Sequence, residues 1–183
     1  MAVLRTGETL DSDRRITRRI VGVGGMTAAE LLTELEWAGV RLNEAAKTLF
    51  ASPRFQCCAE RREFTTVELS VADLGFSDGA KISDIHQKAA IIGLRPSPIE
   101  LAPHLRLQYL DQPEGFLGSA MTRHRAPPGS ITVAAAPLSE DEDFPKGFYL
   151  RRIDGALWLR GYQSGPEHIW GVNDRFVFIE SRG

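Results

Sequence analysis

The chain has 183 residues, the usual length of one domain, and at that size it can bury about 70% of its unfolded surface without a metal or disulfide. Its 43% hydrophobic and 25% charged residues match average globular usage, which excludes a disordered or fibrous class. Its 22 Lys and Arg against 24 Asp and Glu give a net charge of −2, so nucleic-acid binding would need a local basic patch.

Targeting signals and cysteines indicate the cellular compartment of the protein. It has no apolar run near the ~20 residues that span a bilayer, and residues 1–10 lack the basic-then-apolar order of a secretory signal. We therefore expect a cytoplasmic protein with no membrane partner. Cys57 and Cys58 are adjacent, which suits neither a disulfide nor a zinc site. We expect two reduced thiols at the edge of the core, no metal and no other cofactor.

Residues 1–25 show no sustained apolar periodicity and end in the glycine-rich residues 22–25. The segment contains the arginines Arg14, Arg15, Arg18 and Arg19. This pattern predicts a mobile basic tail and hinge over 1–25, followed by a single domain over 26–183. As an alternative, the apolar Ile20, Val21 and Val23 could dock the segment as an edge strand.

Two helices are predicted next. Thr27 and Glu30 form a capping-box pattern, Leu31 and Leu35 then fall on one face, and Gly39 ends the run. A second helix starts at Asn43, a good N-cap residue, and stops before Pro53. Together they predict an N-terminal helical hairpin.

Polarity then alternates with a period of two over residues 64–71, which predicts a strand. A third helix follows, because Ile82, Ile85, Ala89 and Ile92 recur at helical spacing before Gly93.

Prolines 96, 98 and 103 predict a loop or a single turn over 95–103. Beyond it, Leu105, Leu107 and Tyr109 alternate with Arg106 and Gln108, as in a strand. Similar runs recur at residues 116–122, 131–135, 148–153, 156–162 and 176–180. We therefore expect an α+β fold in which the hairpin and third helix cover one face of a mainly antiparallel sheet of about five or six short strands.

The sequence contains no complete motif for nucleotide binding, nucleophilic catalysis or metal binding. The pattern Gly22-x-Gly24-Gly25 lacks the third glycine of a dinucleotide loop, and no Gly-x-x-x-x-Gly-Lys-Ser/Thr or Gly-x-Ser-x-Gly occurs. The histidines at 86, 104, 124 and 168 lack metal-ligand spacing, and the acidic run 140–143 is typical of a solvated turn.

The most distinctive polar residues follow the proline-rich loop. If the apolar face of the predicted strand meets the helices, the opposite face forms solvent-exposed surface or a polar groove. We name Arg106, Gln108, Tyr109 and Asp111 as ligand-binding candidates. The donor fork of Arg106 suits a carboxylate, so we expect it to be partly buried and paired with Asp111 or Glu114.

A resemblance extends from about Met26 to the final strand. It is carried by Leu69-x-Val71-x-x-Leu74-Gly75-Phe76, by Gly93-Leu94, by the proline-rich loop, by Leu105-Arg106-Leu107-x-Tyr109-x-Asp111-Gln112-Pro113 and by Phe176-Val177-Phe178. These residues resemble a group of small bacterial proteins of unknown function, some of which are automatically labelled helicases. The chain has no Walker motif, so we give that label no weight. The resemblance implies a bacterial single-domain protein and carries over no catalytic residue.

Three functional hypotheses follow. The first is a non-catalytic binding or accessory domain for an unknown protein partner or small-molecule ligand, because no catalytic motif is found. The second is a small hydrolase or transferase that uses a groove at Arg106, Gln108, Tyr109 and Asp111. The third is nucleic-acid binding through the tail arginines, for which a solvated tail is the simpler interpretation.

Overall fold

The structure is a computed structural model that describes residues 16–117 and 125–181, together with the backbone of Thr9–Leu10. Four helices lie in these residues: α1 (Ala28–Trp37), α2 (Glu44–Ala51), α3 (Ile82–Ile91) and α4 (Leu101–Gln108). The mixed helix and strand content that the sequence predicts is confirmed.

The strands of the described residues are β1 (Thr9–Leu10), β2 (Thr17–Val23), β3 (Arg41–Leu42), β4 (Arg62–Ser70), β5 (Ala80–Lys81), β6 (Leu94–Arg95), β7 (Ile131–Val133), β8 (Gly147–Ile153), β9 (Ala156–Tyr162), β10 (Ile169–Trp170) and β11 (Arg175–Glu180). The main sheet has the order β1-β2-β4-β11-β7-β8-β9-β3, and β6 also pairs with β11. The pairs β11–β7 and β3–β9 are parallel, and the others in this sheet are antiparallel. The sheet is therefore larger and more mixed than the predicted five or six strands.

Both faces of the main sheet are packed, which corrects the prediction that helices cover one face. On the first face, α1, α2 and α4 enclose a core that includes Leu35, Leu49 and Leu105. On the second face, α3 and the small β5/β10 sheet enclose another core that includes Ile85 and Trp170. The second core covers β4 and β11 more fully than β8 and β9, and this difference positions the candidate site.

The starts of α1 and α2 are confirmed. The Thr27 hydroxyl accepts a hydrogen bond from the Glu30 N–H (3.2 Å), and the Glu30 carboxylate accepts one from the Thr27 N–H (2.7 Å). The helical hairpin is wrong, because β3 lies between the two helices and pairs with β9. α1 packs against α4, whereas α2 packs against β8 and β9.

Asn43 joins α2 to the sheet as well as capping it. Its side-chain oxygen accepts hydrogen bonds from the N–H groups of Ala46 (3.0 Å) and Gly161 (2.8 Å), and its amide donates to the Gly161 carbonyl (2.9 Å). A Cβ at position 161 would lie 2.6 Å from the carbonyl carbon of Ala45. Glycine is therefore required for α2 to sit this close to β9.

The interpretation of residues 1–25 as a mobile tail is wrong for Thr17–Val23, which pairs along its whole length with β4. Val21 and Val23 are buried in the first core. The alternative of a docked strand accounts for these residues, because β-branched side chains on one face of an extended chain bury apolar surface against the helices. Residues 1–8 and 11–15 lie outside the described part of the chain.

The predicted strand after the proline-rich loop is also wrong, because Leu101–Gln108 is helix α4. Pro103 lies in the first turn of that helix, where a proline removes no intrahelical hydrogen bond. Leu101 and Leu105 recur at a spacing of four and are fully buried, so burial of a helical face decides the conformation. The strand predicted over 116–122 is absent at Phe116 and Leu117, and residues 118–122 lie outside the described part.

Helix α4 covers the edge of the chain at Gly22 and Gly24, beyond the two residues of β2 that pair with β1. The side-chain oxygen of Gln108 accepts from the Gly22 N–H (3.0 Å), and its amide donates to the Gly22 carbonyl (2.8 Å). The His104 Nε2 accepts from the Gly24 N–H (3.1 Å). Burial lowers the pKa of His104, which keeps this nitrogen unprotonated and able to accept. Side chains thus satisfy backbone groups that would otherwise form an open sheet edge.

No helix in the part of the chain that the structure describes is long and apolar enough to cross a membrane.

Candidate functional site

The structure brings Arg106 and Tyr109 together in the interior and leaves Gln108 and Asp111 at the surface. Arg106 is fully buried and Tyr109 is 8% exposed, whereas Asp111 lies on the surface. The amide of Gln108 is hydrogen-bonded to Gly22 and to the His104 carbonyl. Because α4 replaces the predicted strand, these side chains do not form the polar face on which the groove hypothesis depended.

Arg106 is buried as expected, but the prediction that it pairs with an acidic side chain is wrong. Its guanidinium donates to the Gln112 side-chain oxygen (2.5 Å) and to the Tyr109 carbonyl. Glu114 instead lies 3.3 Å from Arg152, and no described carboxylate forms an ion pair with Arg106. Burial lowers the pKa of Arg106 to about 10. The partners are neutral because the chain turns back at the end of α4 and presents Gln112 to the interior.

The tail arginines are used within the fold where they are described. Arg19 is buried and lies 2.6 Å from Glu68, which also lies 2.6 Å from Arg175. Arg18 is half-exposed and forms an ion pair with Glu180 (3.1 Å). Arg14 and Arg15 lie outside the described residues. Of the four nucleic-acid candidates, the two that are described already have carboxylate partners.

A row of cross-strand neighbours on the second face of the sheet changes from apolar to polar. In register, Leu69 of β4 lies opposite Phe176 of β11, and Phe176 lies opposite Thr132 of β7. The row continues to Tyr149 of β8 and Arg160 of β9. Side chains in register on one face lie within contact distance. The apolar half is buried in the second core, and Thr132 and Tyr149 of the polar half line a cavity.

This sheet cavity has a volume of about 290 Å³, close to the lower end of the roughly 300–1,000 Å³ of ligand pockets. Thr132 and Tyr149 line it from the sheet, with Tyr162 beside them. The cavity is also lined by Arg125, Ala126, Pro127, Ser130, Gln163, Ser164, His168 and Trp170. Thr132 and Tyr149 are buried, so they contribute polar side chains to the inner part of the cavity wall.

Positive charge gathers around the hydroxyl of Tyr149. The guanidinium of Arg160 interacts with this hydroxyl, and Arg151 acts on it through space. Burial raises the pKa of Tyr149, so the hydroxyl stays protonated and can donate to a ligand. Among the described residues, neither Arg151 nor Arg160 has a carboxylate within ion-pair distance, and the Nε atoms of both are buried without a hydrogen-bond partner.

Asp174 is an acidic group close to His168 and Arg125, which both line this cavity. Its carboxylate accepts a hydrogen bond from the Gly171 N–H (2.7 Å), and burial raises its pKa, while His168 and Arg125 oppose that rise. The described lining residues themselves include Arg125 and no Asp or Glu, so the cavity wall is positively charged.

A second cavity of about 340 Å³ lies on the other side of the Tyr162 ring and shares Tyr162 and Ser164 with the first. Its remaining lining residues are Ile82, Ser83, His86, Ala135, Pro137, Glu140, Glu142, Lys146, Gly165 and Pro166. The Tyr162 ring lies over Gly147 of the neighbouring strand, where a Cβ would be 3.2 Å from the ring. Glycine at 147 therefore lets this ring lie against β8 and form the wall between the cavities.

The described residues offer no group of three or more His, Cys, Asp or Glu side chains able to hold a metal ion. Cys57 and Cys58 are free and half-buried, and Cys57 packs at the edge of the first core, as expected.

Tyr149, Arg160 and Tyr162 are not among the site residues predicted from the sequence, although the strands that carry them are predicted. A signal was present, because Tyr149 alternates with the apolar Phe148 and Leu150, and aromatic and arginine side chains share one face of β9. Strand periodicity shows that these residues share a face, but only the sheet register shows that they are neighbours.

No protein-family model, curated protein or solved structure matches the chain.

Proposed function

We propose that the chain is a non-catalytic binding domain whose ligand is a small organic anion held in the sheet cavity. The main support is positive charge at the cavity: Arg125 lines it, and Arg160, which lies opposite Tyr149 in the register of β8 and β9, has no described carboxylate partner. A buried or half-buried cation without a counterion is costly, and an anionic ligand would offset that cost.

The hydroxyl groups give the anion its orientation. Thr132 and Tyr149 are cross-strand neighbours, so both hydroxyls face the cavity from adjacent strands. Protonated hydroxyls donate to carboxylate or phosphate oxygens, and such bonds to a charged acceptor are each worth about 1.5–3 kcal/mol. Arg125 is exposed at the rim and adds attraction during entry.

Binding is preferred to catalysis because the cavity lacks an activated nucleophile. Its hydroxyl groups, apart from the two tyrosines, belong to Ser130, Thr132 and Ser164. No described hydrogen bond joins any of these hydroxyls to His168, the base that a nucleophilic serine or threonine would need. Arg106, one of the four residues of the groove proposed for a hydrolase or transferase, is fully buried and so cannot contact a substrate from this position.

The proposal is tested by thermal unfolding and calorimetric titration with benzoate and with inorganic phosphate, at constant pH and ionic strength. A dissociation constant of about 1 mM would give about 1.4 kcal/mol of stabilisation at 10 mM ligand, or about 3–5 °C in Tm. The two probes separate a carboxylate ligand from a phosphate ligand. We expect Arg160→Gln to weaken binding by about tenfold or more, because it removes a cation beside the Tyr149 hydroxyl.

The matched control is Arg41→Gln. Arg41 is exposed, and like Arg160 it lies over the Trp158 ring (5.8 Å and 5.0 Å to the ring centroid), so this variant removes the same charge and a similar stacking contact away from Tyr149. Its affinity should match that of the unmodified protein. Absence of any shift with either anion, or equal losses in the two variants, would overturn the proposal.

A further inference from the structure

We propose that the ligand is an organic anion with an apolar tail, whose charged group lies in the sheet cavity while the tail crosses Tyr162 into the second cavity. This inference rests on the proposed function and adds the chemical class and the direction of the ligand. It rests on two observations: the cavities share lining residues, and their rims carry charges of opposite sign.

Adjacency of the two cavities is the first step. Tyr162 and Ser164 line both of them, so a ligand in one cavity lies next to the other cavity. The Tyr162 ring is held against β8 over Gly147 and forms the wall that a ligand reaching from one cavity into the other would cross. An aromatic ring in this place offers an apolar surface to a hydrocarbon chain.

The lining of the second cavity suits a tail rather than a charged group. Ile82, Ala135, Pro137 and Pro166 supply apolar surface from α3 and from the loops on either side of β8 and β9. Burying a methylene against such surface contributes about 0.8 kcal/mol, which is about a fourfold gain in affinity.

Charge fixes the direction of the ligand. Glu140 and Glu142 line the second cavity and are exposed at its rim, so an anionic group there would meet two like charges. Lys146 also lines this cavity. Its ammonium group donates hydrogen bonds to the backbone carbonyls of Ser139 (3.3 Å) and Asp141 (2.6 Å). The anion therefore belongs beside Tyr149, and the neutral end of the tail points towards the glutamates.

The inference is tested by NMR titration with straight-chain carboxylates from acetate to hexanoate, with the Trp170 indole signal reporting on the first cavity. We expect affinity to rise about two- to fourfold per methylene. Ser83→Trp should remove this gain and leave acetate affinity unchanged, because Ser83 lines only the second of the two cavities and is exposed. Asp84→Trp, at the adjacent exposed position outside both linings, is the matched control and should keep the gain.

Hexanedioate tests the direction. Its second carboxylate would face Glu140 and Glu142, so we expect it to bind at least about tenfold more weakly than hexanoate. Equal binding of the two, or acetate binding with no dependence on chain length, would overturn this inference and leave the proposed function standing. If neither carboxylate bound and phosphate also failed, the proposed function and this inference would fall together.

Discussion

At the level of single residues, Arg106 shows how a cation is kept in the interior by neutral acceptors. Its two described hydrogen-bond partners are the Gln112 side chain and the Tyr109 carbonyl, and Gln112 in turn donates to the carbonyls of Gly129 (3.1 Å) and Leu150 (3.3 Å). Arg106 thus ties the end of α4 to β8 through Gln112. A planar guanidinium can reach both acceptors at once, whereas a lysine ammonium lacks that geometry.

We therefore expect Arg106→Lys to lower the free energy of unfolding by about 2–4 kcal/mol with no ligand present, because buried hydrogen bonds to a charged group are lost. Urea unfolding measures the change. Arg95→Lys is the control, since Arg95 is exposed, and it should cost less than about 0.5 kcal/mol. An Arg106→Lys variant of unchanged stability that had lost its anion-induced thermal shift would assign Arg106 to a ligand instead.

At the level of elements, α1 is stabilised by its buried face. Leu31 and Leu35 are fully buried, while Trp37 at its end is 77% exposed. We expect Leu35→Ala to lower the free energy of unfolding by about 2–5 kcal/mol, because it removes buried methyl groups and leaves a cavity. Leu110→Ala is the matched control, since Leu110 is 50% exposed, and it should cost much less. A cost below about 0.5 kcal/mol for Leu35→Ala would contradict the packing of α1.

At the level of the whole molecule, β2 belongs to the sheet, and this reverses an expectation drawn from the sequence. If residues 1–25 were the mobile tail that the sequence predicts, their deletion would leave a folded domain. In the structure, the deletion removes Val21 and Val23 from the first core and the Gly22 partner of Gln108, and it exposes the edge of β4. An exposed edge strand also promotes aggregation.

We expect the truncated chain to lose its cooperative thermal unfolding transition and its near-ultraviolet circular dichroism. A pair of substitutions in β2 checks the same point in the intact chain. Val21→Ala, at a position 1% exposed, should cost about 1–3 kcal/mol, and Ile20→Ala, at a position 57% exposed, should cost little. A truncated protein with an unchanged melting temperature would show that β2 is dispensable.

Local patterns in the sequence predicted the elements whose signals lie within a few residues of one another. The capping box at Thr27, the N-cap at Asn43 and the alternation that marks β4 are interactions or periodicities of this kind, and each agrees with the structure. The strands over 148–153 and 156–162 were found for the same reason.

Tertiary packing decided what local patterns left open. Leu105 and Leu107 fit a strand as well as a helix, and burial of Leu101 with Leu105 selected the helix. The apolar residues of β2 are buried only because β4 and α4, which lie far from them in the chain, pack against this strand. The candidate site depends on the same kind of information, because Thr132, Tyr149 and Arg160 become neighbours only through the sheet register. Register is set by pairing between distant segments, which no local spacing in the sequence encodes.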